Sequence, residues 1–144
     1  MQPSTPLPAA RQIRIAAALV TRADGHALLV RKRGTHIFMQ PGGKIEAGEA
    51  PAEALCRELL EEIGVRLRPD DLAYAGCYSA PAANEPGFSV LAEVFTVRTE
   101  AVPTARAEIE ELVWIDPLAP PADLPIAPLS RTCILPLCGL GTTA

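Results

Sequence analysis

The chain has 144 residues, 49% of them hydrophobic, and a formal charge of -4 at pH 7. That length and apolar content suit one domain around one substantial core, and the lack of a basic stripe argues against polymeric nucleic acid as a partner while leaving single nucleotides open. No apolar run approaches membrane-spanning length, and the start "MQPSTPLPAARQIRI" lacks the charged-then-apolar order of a signal peptide, so a cytoplasmic protein with no membrane partner is expected.

Residues 1–12 are rich in proline and read as a flexible tail, with a single domain over 13–144. In "IRIAAALVTRADGHALLVRKR" two β-prone runs flank Asp24-Gly25, a dipeptide that tolerates the positive φ of a tight turn. This predicts strand, turn, strand. Alternation at the end of the second run turns Arg31 and Arg33 to one face, either as phosphate contacts or as the charged end of an edge strand. His26 and His36 have no partner spacing and read as surface residues.

The loop "GTHIFMQPGG" follows, and its Pro-Gly-Gly argues against regular structure while letting backbone come close to something else. A helix is then predicted from Pro51, whose missing N–H is no loss at a first helical position, to Ile63, with Gly64 as the stop. At about 100° per residue, Ala52, Leu55, Cys56, Leu59, Leu60 and Ile63 share an apolar face, Glu58 and Glu62 stand on its flank, and Glu61 projects from the polar side. Arg57 lies four residues from both Glu53 and Glu61 and can bridge either.

Three further β-like runs, "LAYAGCYS", "SVLAEVFTV" and "LVWI", lead into a Pro-rich connector and an apolar tail, "LSRTCILPLCGL", that predicts a closing helix shortened or kinked by Pro136. Strands before and after a central helix point to an α+β layered domain with a mixed sheet. Cys56, Cys77, Cys133 and Cys138 have neither zinc-site spacing nor the density of a disulfide scaffold, and read as reduced, mostly buried thiols.

Like charges three and four residues apart destabilise a helix unless an opposite charge lies between them. Carboxylates at that spacing suit a hard divalent cation, Mg²⁺ or Mn²⁺, which prefers oxygen ligands, and glycine carbonyls of the preceding loop are a further source of oxygen. The residues also match a known pattern, G-x5-E-x7-R-E-U-x-E-E-x-G-U with U bulky and aliphatic, through Gly43, Glu49, Arg57, Glu58, Leu59, Glu61, Glu62, Gly64 and Val65. No fixed position departs. The chain therefore resembles a Nudix hydrolase of the MutT-like type, with the box at 43–65.

The resemblance implies the Nudix fold, an α/β/α sandwich with a mixed central sheet, and metal-dependent hydrolysis of a nucleoside diphosphate linked to another moiety X, of nucleoside triphosphate or ADP-sugar type. It implies Glu58, Glu61, Glu62 and the Gly43 carbonyl as metal ligands, Glu61 or Glu58 as the base, and Arg57 as the group that holds Glu49 and a helix glutamate in place. Of Glu108, Glu110 and Glu111 ahead of Trp114, it favours Glu108 as an additional catalytic acid. For the substrate it suggests Pro81 and the "NEPG" loop around Asn84 and Glu85, with Phe38, Tyr78, Phe88 and Trp114 as rings available for stacking or for the core. A homodimer is left open.

The rival from another class is a Nudix-fold module that senses a nucleotide without cleaving it, against which the complete set of box acids argues. An isomerase of the same architecture is the other rival. Neither Cys56 nor Cys77 offers it a convincing catalytic thiol.

Overall fold

The computed structural model describes residues 11–82 and 85–139. Strand β1 (Gln12–Thr21) and strand β2 (Ala27–Lys32) flank the predicted turn, where the Gly25 N–H donates to Arg22 O at 2.8 Å and Asp24 Oδ1 accepts from the His26 N–H at 2.9 Å. Residues 1–10 of the expected tail lie outside the described residues, but Gln12 is no part of one, since it already pairs with Ser89 in a parallel ladder.

Two short strands, β3 (Phe38–Met39) and β4 (Gly42–Lys44), stand where the sequence predicts an irregular loop. Gly42 pairs this close to β1 because it has no Cβ, which would collide there with the carbonyl oxygen of Ala16. Helix α1 (Pro51–Ile63) has the predicted limits, ending where Gly64 turns left-handed at φ 70°. After it come β5 (Ala73–Pro81), β6 (Ser89–Arg98) and β7 (Ile109–Ile115).

The strands make one mixed sheet in the order β3-β2-β1-β6-β5, with β4 on β1 and β7 on β2. The β1–β6 pair is parallel and the remaining pairs are antiparallel. β1 and β2 meet in register only at Thr21 and Ala27; beyond the turn they part, β4 joining the one and β3 and β7 the other. That parting opens a cleft in the sheet.

Alternate residues of the central strands serve two cores, as a sheet covered on both faces requires. Ala16, Ala18, Leu28 and Val30 pack with Leu55, Leu59 and Ile63 of α1, while Ala17, Leu19, Ala27 and Leu29 pack with Leu129, Ile134 and Leu135 beyond the sheet. Leu55 and Leu59 are fully buried and contribute roughly 2 kcal/mol each. The α/β/α layering follows from this division.

The closing helix is a π turn over Ser130–Ile134 followed by 3-10 turns over Leu135–Gly139, because Pro136 has no N–H to continue an α ladder. Leu140 lies outside the described residues. No described helix is long and apolar enough to cross a membrane. The four cysteines are free, but none is buried: Cys56, Cys133 and Cys138 are half-covered, and Cys77 is exposed on the edge strand β5.

Candidate active site

The approach to α1 is built by carboxylates that satisfy backbone. Glu49 Oε1 accepts from the Glu46 N–H at 3.0 Å, and Glu53 Oε1 accepts from the Ala50 N–H at 3.0 Å, closing the helix start. Glu53 is thus committed to the cap and does not pair with Arg57 as its spacing suggests.

Arg57 instead forks onto Glu49, Nε donating to Oε2 at 2.7 Å and Nη2 to Oε1 at 2.8 Å. Its Nη1 donates to Glu58 Oε2 at 3.0 Å, its Nη2 to the Lys44 carbonyl at 3.2 Å, and Glu61 lies 3.6 Å away. One guanidinium therefore sits among three box carboxylates and ties them to β4. The fork holds the Glu49 carboxyl down at about 2 and raises the proton affinity of Arg57 itself.

Glu58 and Glu62 face inward, toward β4. The Glu58 carboxylate lies where a Cβ on Gly43 would be, and Glu62 Oε1 accepts from the Gly42 N–H at 3.1 Å. Glu62 is only 4% exposed, so it is not the flank residue that helical spacing predicts; the buried stripe runs through Ala54, Leu55, Leu59, Glu62 and Ile63, with Ala52, Cys56 and Leu60 partly open. The unpaired strand N–H of Gly42 gives this inward carboxylate its partner. Burial pushes Glu62 up to about 8, partly offset by the Gly42 N–H and reinforced by Glu58 and Glu108. Burial also raises Glu58, against the pull of Arg57.

A cleft of about 290 Å³ is lined in part by Gly42 and Gly43. It brings together Gly43, Arg33, Glu85 and Glu108 of the sequence candidates and adds Lys32, Lys44 and Gln40. Glu108 pairs with Lys32 at 3.5 Å, and its carbonyl accepts from the Arg33 N–H at 2.8 Å. The preceding Ala107 is left-handed, at φ 52°.

Other candidates fall elsewhere. Arg31 is outside the cleft lining, donating to Glu111 Oε1 at 3.0 Å and to the Thr35 carbonyl at 2.8 Å. Arg31 and Lys32 alternate, only Lys32 reaching the cleft, and Arg33 lies past the end of β2 and lines it too, while β7 forms a bulge here with Glu110 as its extra residue. No sequence signal marks that bulge. Phe38 is 5% exposed and belongs to the core under the C-terminal segment, so it does not stack on a ligand. Pro81 lines a smaller recess of about 70 Å³ beside the cleft, and Asn84 lies outside the described residues.

Among the described residues, no three acidic, histidine or cysteine side chains are already gathered as a metal ligand set. The chemistry of the donors nonetheless fits a hard cation. Two inward carboxylates bind protons more tightly than carboxylates in water, repel each other, and abut the Gly42–Gly43 backbone, and the Glu61 side chain beside them is 55% exposed and free to turn.

Comparison with known proteins bears on the family. The chain is 45% identical over 58 residues to an RNA pyrophosphohydrolase of Halorhodospira halophila, a stretch covering 40% of this chain and 31% of that protein. It is 42% identical over 57 residues to an 8-oxo-dGTP diphosphatase of Haemophilus influenzae, covering 37% of this chain and 42% of that one. The chain thus spans less than half the length of these two relatives. The crystal structure of a MutT NUDIX hydrolase from Burkholderia pseudomallei superposes with a TM-score of 0.70 at 24% identity, over 83% of this chain and 93% of that chain, and shares the fold. The model of the NUDIX domain matches residues 11–134, and on that span the chain belongs to the Nudix family.

Proposed function

We propose that this chain is a metal-dependent pyrophosphohydrolase that cleaves a nucleoside diphosphate linked to another moiety X, a small cytoplasmic nucleotide of triphosphate or ADP-sugar type. The observation that carries the reading is that two inward acids, Glu58 and Glu62, abut the same Gly42–Gly43 backbone that lines a cleft with Lys32, Arg33 and Lys44. The acids suit a cation, and the bases beside them suit phosphate. The names of two relatives, a pyrophosphohydrolase and a diphosphatase, support the same chemistry.

Glu58, Glu62, the Gly43 carbonyl and a turned Glu61 would hold Mg²⁺, with Mn²⁺ as a substitute. When bound, the cation supplies neutralisation of phosphate charge and a more acidic water. Lys32 and Arg33, with Lys44, position the phosphates; water attacks phosphorus, its proton passing to Glu61 or Glu58, and the anhydride P–O bond breaks to release the other phosphate portion as the leaving group. Arg57 acts through others, fixing Glu49 and Glu58 by charge-assisted hydrogen bonds. Glu108, tethered to Lys32, is the additional acid within reach of the cleft.

The test is hydrolysis of a panel of nucleoside triphosphates, dinucleoside polyphosphates and ADP-sugars with Mg²⁺, by the wild type and by Glu61→Gln, with and without chelator. Product from the wild type that disappears with chelator and in the variant is the expected result. Nucleotide binding with no product from the wild type would make the chain a sensing module instead.

A further inference from the structure

Gln40 stands between β3 and β4 and lines both the cleft and the smaller recess beside it. The two cavities share Ile15, Ala17, Met39 and Val90 as walls, so the recess is an apolar extension of the cleft away from its basic rim. Gln40 is 6% exposed, and among the described residues neither its Oε1 nor its Nε2 meets a hydrogen-bond partner. Its backbone is held, the N–H donating to the buried hydroxyl of Ser130 at 3.3 Å. The side chain is thus a buried carboxamide with an unused donor and an unused acceptor in largely apolar surroundings.

Buried amides are nearly always paired, because an unmade hydrogen bond there forfeits the full hydration of the group. A side chain serving only the core would be aliphatic at this position, as its neighbours Ile15 and Val90 are. A carboxamide offers one acceptor beside one donor, the pattern that complements the edge of a nucleobase and that glutamine uses in bidentate contact with bases. The placement fits the rest of the site: phosphates at Lys32, Arg33 and Lys44, a base on the apolar side, and Gln40 at the junction. Met39, unbranched and flexible, is the wall best able to yield to a planar ring.

We propose that Gln40 is a specificity-determining residue, its carboxamide hydrogen-bonding a donor–acceptor edge of a nucleobase seated in the recess lined by Ile15, Met39, Pro81 and Val90. This rests on the nucleotide reading given above.

The test measures affinity for ATP, GTP, CTP, UTP and inorganic triphosphate with Mg²⁺ present, in the Glu61→Gln background so that nothing is consumed. A second set of measurements adds Gln40→Met, which keeps the length of the side chain and removes both polar groups. The tightest-bound nucleotide should weaken roughly 10- to 100-fold, as loss of a bidentate base contact does. Inorganic triphosphate should change less than about 2-fold, and the spread among the four nucleotides should shrink. The melting temperature should not fall, since the amide removed has no partner in the fold.

An equal loss on all five ligands, no loss on any, or a lowered melting temperature with unchanged affinities would overturn the proposal. Gln40→Leu, a second apolar replacement of similar volume, should give the same selective loss and guards against a packing defect particular to Gln40→Met. Hydrolysis assayed with the wild type separates the two readings. Base-dependent binding without hydrolysis sinks the pyrophosphohydrolase and keeps Gln40, whereas hydrolysis with base-independent binding sinks Gln40 alone.

Discussion

The carboxylate of Glu58 occupies the space that a Cβ on Gly43 would need, with Oε1 2.7 Å from that position. The neighbouring Gly42 meets backbone instead, the Ala17 Cα being 2.8 Å from the corresponding point, and holds φ 151°. These two glycines therefore predict different failures. Gly43→Ala displaces only the flexible end of a side chain, so the fold should survive within about 1 kcal/mol while turnover drops on the order of 100-fold, as it does when a reacting group is shifted by about an ångström. Gly42→Ala must move strand β1 and should cost about 3 kcal/mol or more. Urea denaturation and kcat measured on both variants check the contrast, and equal losses of stability would refute it.

Arg57 supplies a planar fork that lysine lacks. Arg57→Lys should keep the charge and lose the paired bonds to Glu49 and the link to the Lys44 carbonyl. Because the guanidinium is 27% exposed and the Glu49 side chain 21%, the stability loss should be only about 1 kcal/mol. The larger effect should fall on kcat, roughly 10- to 100-fold, with KM little changed, since Arg57 orients acids and does not line the cleft. A change confined to KM would remove it from that role.

Much of this was legible in the residues because it is written in backbone chemistry. Pro51 and Gly64 punctuate α1 whatever packs against it, and Asp24-Gly25 marks its turn for the same reason. The misreadings arose where tertiary contacts decide. Helical spacing alone cannot tell that Glu62 turns inward, because its partner is the N–H of Gly42, 20 residues away. Alternation pairs Arg33 with Arg31, but β2 ends at Lys32, and past its end Arg33 joins Lys32 on the cleft. Phe38 reads as a ring near a ligand until the connector before the closing helix covers it, its N–H donating to the Pro125 carbonyl at 2.9 Å. Gln40 carries no sequence signal; its meaning lies in its missing partners.

Ala107 is strained at φ 52°, directly before Glu108. Ala107→Gly should be neutral within about 0.5 kcal/mol, because relief of the left-handed backbone is offset by the freer unfolded chain. Ala107→Val should cost about 1–2 kcal/mol, a β-branched residue being a poor fit to that conformation. It should also shift Glu108, whose carbonyl accepts from Arg33 and whose carboxylate pairs with Lys32. Lower kcat in Ala107→Val than in Ala107→Gly is the expected readout. Equal kcat would mean that Glu108 needs no such placement.

Glu62 allows the proposed metal requirement to be tested without an activity assay. Its carboxyl titrates near 8 in the fold against 4.5 as its ordinary value, burial being the chief cause. Below about pH 4.5 it is protonated in both folded and unfolded chains and adds no pH dependence. Between 4.5 and 8 the unfolded chain releases a proton that the folded chain keeps, so the metal-free protein should lose stability as pH rises, levelling off above 8. Glu62→Gln, which cannot ionise, should lack that decline. A divalent cation favours the ionised form, so binding Mg²⁺ near pH 7 should release a proton and its affinity should rise with pH up to about 8. Melting curves from pH 5 to 9 with chelator or with Mg²⁺, and calorimetric titrations in two buffers of different ionisation enthalpy, test both halves. If wild type and Glu62→Gln lose stability in parallel and Mg²⁺ releases no proton from either, the inward carboxylate is not part of a cation site.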